Sequence, residues 1–108
     1  MAVVCSVSKE HNPEKNPNYW FAFHPHQQEF LSQYPTTYVA FGCGSSKQVL
    51  LVPYQTFQPW LEDSWTTTND DRTYWHVVIY RKGQKFELRL RKGKKAIDVT
   101  PFLVVSES

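Results

Sequence analysis

The chain has little of what small proteins use for covalent or metal cross-links. Only two of its 108 residues are cysteine, Cys5 and Cys43. A single disulfide can be drawn between them, but two cysteines make no disulfide framework, and we expect both to be reduced. Neither a C-x-x-C nor an H-x-x-x-H spacing occurs in the sequence. The common zinc motifs are therefore absent, and the pattern predicts no metal and no cofactor.

An excess of one charge sign and long apolar runs are also missing. Twelve Lys and Arg stand against 10 Asp and Glu, giving a net charge of +2, so the overall charge selects no class of partner. The apolar start of the chain, residues 1–7, is too short for a secretory signal or a transmembrane span. These features predict a cytoplasmic protein with no membrane partner.

Aromatic residues are abundant. They make up 16% of the chain, and hydrophobic residues 41%, which is typical of an ordered core. A length of 108 residues suits one domain. Residues 1–18 turn polar after Val7 and are broken by Pro13 and Pro17. We interpret them as a flexible N-terminal arm, whose first valines could add a short edge strand, and we predict a single domain over residues 19–105.

The spacing of apolar residues predicts the order β-α-β-β-α-β-β-β. The predicted strands lie near residues 19–23, 37–41, 48–52, 74–80, 85–91 and 96–99, and the predicted helices span 24–34 and 56–65. Residues 66–73 are predicted to be a polar loop, and 100–105 a last strand or short helix. The fold class that follows is α+β: a single domain with a mostly antiparallel twisted sheet and two short helices.

The clearest pattern lies in residues 74–99. Two alternating runs flank a short turn at Gly83, which predicts a β-hairpin. Pairing the runs places one apolar row of each on a common buried face: Trp75, Val77, Ile79, Phe86, Leu88 and Leu90. The same stretch holds eight of the twelve Lys and Arg. The firmest structural prediction and the main concentration of positive charge therefore coincide.

A basic ribbon of this kind can lie along phosphates while neighbouring rings stack on bases. The sequence thus predicts a nucleic acid partner, bound by Arg81, Lys82, Lys85, Arg89, Arg91, Lys92, Lys94, Lys95, Tyr80 and His76. The alternative is that the basic face is only solvated, since Lys and Arg also protect exposed strands from aggregation. The chain would then be a protein-interaction or regulatory module, or a homodimer, that uses an exposed aromatic surface or an open strand edge.

Catalytic patterns fail on spacing or context. The turn at residues 42–45 resembles a nucleophile turn around Cys43, but it is predicted to join two strands, and so it also lacks the helix needed to cradle phosphate. Glu87 and Arg89 mimic part of a nuclease site, yet no second acid is well placed on an adjoining strand. His24 and His26 could offer two imidazoles near a strand end. We predict a non-catalytic domain, with an enzyme using Cys43 or this histidine pair as the weakest alternative.

Three segments, 38–44, 49–53 and 74–79, share an apolar rhythm with interspersed aromatic residues. In this they resemble small α+β modules attached to bacterial restriction-type and other DNA-processing proteins. The resemblance covers about residues 19–105 and implies a DNA-associated module of bacterial type. The nuclease signature that such proteins often carry is absent here, so no catalytic residue is transferred.

Overall fold

The chain folds into strands interrupted by two short helices. The computed structural model describes residues 1–45, 48–69 and 72–105. Within these residues the strands are β1 Ala2–Ser8, β2 Asn18–Phe23, β3 Thr37–Cys43, β4 Gln48–Pro53, β5 Thr66–Asn69, β6 Arg72–Lys82, β7 Lys85–Arg89, β8 Ile97–Asp98 and β9 Leu103–Val105. The helices are α1 Pro25–Leu31 and α2 Tyr54–Phe57, and 3-10 turns cover Gln58–Asp63 and Thr100–Phe102.

The strands form two sheets. The first sheet has the order β1-β3-β4-β9, in which β1 runs parallel to β3 and the other neighbours are antiparallel. The second sheet has the order β2-β6-β7-β8, with β5 also paired to β6, and all its pairings are antiparallel. The predicted α+β class with mostly antiparallel strands and two short helices is confirmed, although the strands divide between two sheets.

The predicted hairpin is present as β6 and β7. Its turn contains Gly83 at φ 64°, a conformation that glycine adopts without steric cost. The register pairs Ile79 with Leu88 and Arg81 with Phe86. Val77, Ile79, Phe86 and Leu88 are each 1% exposed, so the alternation in the sequence did identify the buried rows.

The first valines form an edge strand, as the sequence allowed, within the segment that we interpreted as a flexible arm. β1 pairs with β3 over seven residues, from Ala2 opposite Thr37 to Ser8 opposite Cys43, so the domain as folded begins at Ala2 rather than Tyr19. Ala2 and Ser8 are buried at either end of this pairing. The partner of β1 lies some 35 residues along the chain, and a local polarity pattern does not reveal such a pairing.

The predicted loop at residues 66–73 is wrong over most of its length. Thr66 lies opposite Trp75 and Asn69 opposite Arg72, so threonines that read as polar linker form β5 against the start of β6. Threonine is β-branched and suits a half-exposed strand. Residues 70–71, in the middle of that predicted loop, lie outside the described residues.

The core lies between the inner faces of the two sheets. Phe41 of the first sheet meets Phe21 of the second at a ring-centroid distance of 4.9 Å. Phe57 of α2 closes the core at its side, 5.6 Å from Phe41 and 5.1 Å from Phe23. One face of each sheet therefore packs into a shared aromatic core, and the other face points outward. Over the described residues, no helix is long and apolar enough to cross a membrane.

Candidate nucleic-acid interface

The outer face of the second sheet carries a row of rings. Because side chains alternate along a strand, Trp20 opposite Val78 and Ala22 opposite His76 point away from the core. Trp65 lies beside this row, since its carbonyl accepts a hydrogen bond of 2.8 Å from the His76 backbone N–H. We call this surface the aromatic face; its residues are Trp20, Trp65, Tyr74, His76, Val78, Tyr80 and Arg89.

His76 orders one half of the aromatic face. The Trp20 indole N–H donates to His76 Nδ1 at 2.8 Å, and His76 Nε2 bonds to the Thr67 hydroxyl. Since Nδ1 accepts, this network assigns the ring proton to Nε2, which donates to Thr67. The His76 ring centroid lies 5.5 Å from that of Trp20 and 5.2 Å from that of Tyr74. Trp20 is held in place by this bond while 43% of it stays exposed.

Arg89 and Tyr80 form the other half. The Arg89 guanidinium carbon lies 4.6 Å from the Tyr80 ring centroid, a cation–π contact. An open groove of about 540 Å³ runs beside them. Its lining residues come from β6 and β7, from the position just before β5 and from the basic segment after β7: Trp65, Val78, Tyr80, Arg89, Leu90, Arg91, Lys92, Lys94 and Ala96. Trp65 and Tyr80 both line this groove, together with the cationic side chains of Arg89, Arg91, Lys92 and Lys94.

The predicted basic residues are less free than the sequence suggests. All eight lie in the described part of the chain, and five of them have an acid within 4.0 Å: Arg81 with Glu10, Lys82 and Arg89 with Glu87, and Arg91 and Lys94 with Asp63. The other three, Lys85, Lys92 and Lys95, form no ion pair with any described residue. Much of the positive charge in the hairpin is therefore balanced within the chain.

Arg81 is the most firmly engaged of the eight. Its Nη2 lies 2.8 Å from Glu10 Oε1, and the Tyr19 hydroxyl donates to the same oxygen at 2.7 Å. The Tyr19 hydrogen bond, followed by the one from Arg81, lowers the pKa of Glu10. Burial and the bond to Glu10 raise the pKa of Tyr19 to about 12. These hydrogen bonds connect the segment after β1 to the second sheet and hold the Arg81 guanidinium against Glu10.

The residues considered for catalysis do not converge. Cys43 is 2% exposed, and burial raises the pKa of its thiol to about 12, so almost none of it is the nucleophilic thiolate. His24 and His26 stack on each other at a centroid distance of 5.3 Å. Among the residues that the structure describes, no three His, Cys, Asp or Glu side chains gather closely enough to hold a metal ion.

Four residues of the aromatic face, Trp20, Trp65, Tyr74 and Val78, are absent from the predicted site. Trp20 could have been found, because alternation with Tyr19 and Phe21 buried requires it to point outward. Trp65 could not, since it lies next to His76 only through the pairing of β5, which was predicted as a loop.

Comparison of the chain with models of known protein families, with curated proteins and with solved structures found no match.

Proposed function

We propose that this chain is a non-catalytic module that binds single-stranded nucleic acid on its aromatic face. One observation carries the proposal: ordered, solvent-accessible rings line the outer side of a sheet whose inner side is the core. Every base has a π-face, so such a platform binds strands with little regard to sequence, at about 1–3 kcal/mol per stacked base. Trp20 and Trp65, which are 43% and 40% exposed, offer the largest ring surfaces.

The charges near the groove support a position for the phosphates of a bound strand at the rim of the groove. A base lying between Trp65 and Tyr80 would leave its phosphates at the rim, where Lys92 is exposed and forms no ion pair with a described residue. The Arg89 guanidinium lies against the Tyr80 ring and 3.8 Å from Glu87, and its planar face would stack on a base. Stacking supplies most of the affinity, and phosphate contacts contribute the smaller part.

A flat platform favours unpaired strands. In a duplex the base faces are stacked on one another, and rings fixed on a sheet cannot reach them without opening the helix. DNA is the first ligand to test, because the sequence resembles modules of DNA-processing proteins; RNA of the same sequence is the second. We also propose a cytoplasmic setting, in which the exposed thiol of Cys5 stays reduced.

The test is a fluorescence-anisotropy titration of a labelled single strand and of the matching duplex at low salt. We expect the single strand to bind more tightly than the duplex. Tyr80→Ala removes a ring at the groove and should weaken single-strand binding about 5- to 150-fold, the equivalent of about 1–3 kcal/mol.

Tyr34→Ala is the matched control. Tyr34 is 43% exposed but lies after α1, away from the aromatic face, so its loss should leave the titration unchanged. No binding at low salt, or an equal loss in the two tyrosine variants, would contradict the proposal.

A further inference from the structure

The outer face of the first sheet is built without charge. The strands Ala2–Ser8, Thr37–Cys43, Gln48–Pro53 and Leu103–Val105 contain no Asp, Glu, Lys, Arg or His. Their register places one set of side chains away from the core. We call this surface the apolar face; its residues are Val3, Cys5, Val7, Tyr38, Ala40, Gly42, Val49, Leu51, Pro53 and Val104.

Large side chains on the apolar face are left in solvent. Val3, Val7 and Val104 are 41%, 57% and 52% exposed. Three exposed valines on one uncharged sheet face differ from the single exposed leucines and valines of an ordinary surface. Covering it would remove apolar area from water at about 25 cal/mol per Å². A partner that covers this face would therefore have to be apolar and flat.

On the apolar face, the small outward residues of β3 lie beside the larger ones of β4. Along β3 the outward residues are Tyr38, Ala40 and Gly42, and the small Ala40 is only 4% exposed. The space over Gly42 is already filled within the chain, since a Cβ there would lie 2.8 Å from Val7 Cγ2 and 2.9 Å from the Ser45 carbonyl oxygen. On the neighbouring strand β4, the larger Val49 and Leu51 lie in the same rows as Gly42 and Ala40.

When a two-fold axis relates two copies, the small side chains of β3 in one copy face the larger side chains of β4 in the other. An axis parallel to the strands and midway between β3 and β4 exchanges the two strands between facing copies. Leu51 of one copy then lies over Ala40 of the other, and Val49 lies over the Val7 side chain that covers Gly42. Both contacts occur twice, because Leu51 shares a row with Ala40 and Val49 shares one with Gly42. Since neither surface carries charge, the two copies meet with no like-charge repulsion.

The size of the face suits a small dimer. Strands of seven, seven, six and three residues, spaced about 4.8 Å apart and rising about 3.3 Å per residue, give a projected area of roughly 360 Å². This lies below the smallest stable interfaces, about 600 Å² per partner, so the dimer is a weak one that forms at high protein concentration and separates on dilution. Aligned packing of two sheets is also the usual way in which such faces are buried.

We propose that the apolar face binds a second copy of the same chain, sheet against sheet, as a two-fold dimer. In this dimer the four-stranded sheets lie at the centre, and the two aromatic faces point outward on opposite sides. The dimer is independent of the proposed nucleic-acid binding, because its contacts use the other sheet and the opposite side of the core.

Sedimentation equilibrium over a wide range of protein concentrations tests the dimer. The wild type should reach twice the 12.7 kDa mass of one chain. Leu51→Lys places an unpaired ammonium at the middle of the interface and should leave a single species with the mass of one chain. Val78→Lys makes a comparable change on the outer face of the second sheet and should remain a dimer. Circular dichroism shows whether each variant is folded.

The thiol of Cys5 gives a second readout that needs no substitution. Cys5 is exposed in one copy and lies on the apolar face, whereas Cys43 is buried and stays silent. The rate at which a thiol reagent labels the folded wild type should therefore rise on dilution, as the copies separate. A wild type with the mass of one chain at every concentration, a folded Leu51→Lys that still dimerises, or a labelling rate that ignores dilution would each overturn the proposal.

Discussion

The two outer faces of this small domain obey the same rule and have opposite chemistry. In both sheets the inward-facing side chains form the core. The side chains that alternate with them face outward and take no part in it. The first sheet fills its outer rows with aliphatic and small residues, such as Leu51 and Ala40. The second fills them with rings, such as Trp20 and Tyr80, and with the guanidinium of Arg89. Function is therefore best sought in the outer rows, where stability imposes the fewest demands.

The difference lies in how each face meets water. On the aromatic face, Trp20 bonds His76 and His76 bonds Thr67, so a large ring is both ordered and accessible. An ordered ring loses little conformational entropy when a base stacks on it. The apolar face has no such polar anchors in its four strands, and its outward side chains can gain only by being covered. One outer face therefore presents ordered rings to solvent, and the other presents aliphatic side chains.

The largest expected effect comes from removing rings on the aromatic face. Trp20→Ala combined with Tyr80→Ala deletes one ring from each half and should weaken single-strand binding at least about 30-fold, or 2 kcal/mol for two lost stacks. The mass of the dimer should not change. Anisotropy titration and sedimentation measure the two quantities on the same sample.

The matched variant on the other face is Val7→Ala combined with Val104→Ala. It removes exposed aliphatic surface, so it should weaken the dimer and leave the affinity for a single strand per chain unaltered. If both double variants lowered nucleic-acid affinity to the same degree, the division of labour between the two faces would be refuted.

Salt dependence gives a smaller effect that separates stacking from charge. With five of eight basic residues already in ion pairs, about three phosphate contacts remain. For a single strand this gives a slope of about −2 for log affinity against log salt, or roughly a 20-fold loss for a fourfold rise in salt. A slope near −6 would mean that the ion pairs open and all eight residues contact phosphate; a slope of zero would remove phosphate contacts from the site.

What the sequence could predict follows the range of the interactions involved. The β6–β7 hairpin rests on alternation and on one glycine turn, both local, and its buried rows were predicted correctly. The charge balance was not predictable in the same way. Arg81 meets Glu10 across 71 positions, and Arg91 meets the Asp63 carboxylate only because β5 and the 3-10 turn bring it there. The pairing of β1 with β3 is likewise long-range, and so the apolar face could not be assembled from local patterns.

The smallest expected effect concerns the link between the two sheets, which belongs to neither face. The bonds from Tyr19 and Arg81 hold the pKa of Glu10 below its ordinary value of 4.5. The unfolded chain therefore binds more protons at this group. The stability that Glu10 adds is fully present above its ordinary pKa and is lost as the pH falls through its pKa in the folded protein.

Glu10→Gln should lower the free energy of unfolding by about 1 kcal/mol at neutral pH, and this difference from the wild type should shrink below pH 4.5. Urea unfolding at several pH values measures it, with Glu14→Gln, an exposed change in the same segment, as the control that should follow the wild type throughout. A deficit in Glu10→Gln that stayed constant down to low pH would show that Glu10 acts through packing instead of charge, and the ionic link between the sheets would have to be abandoned.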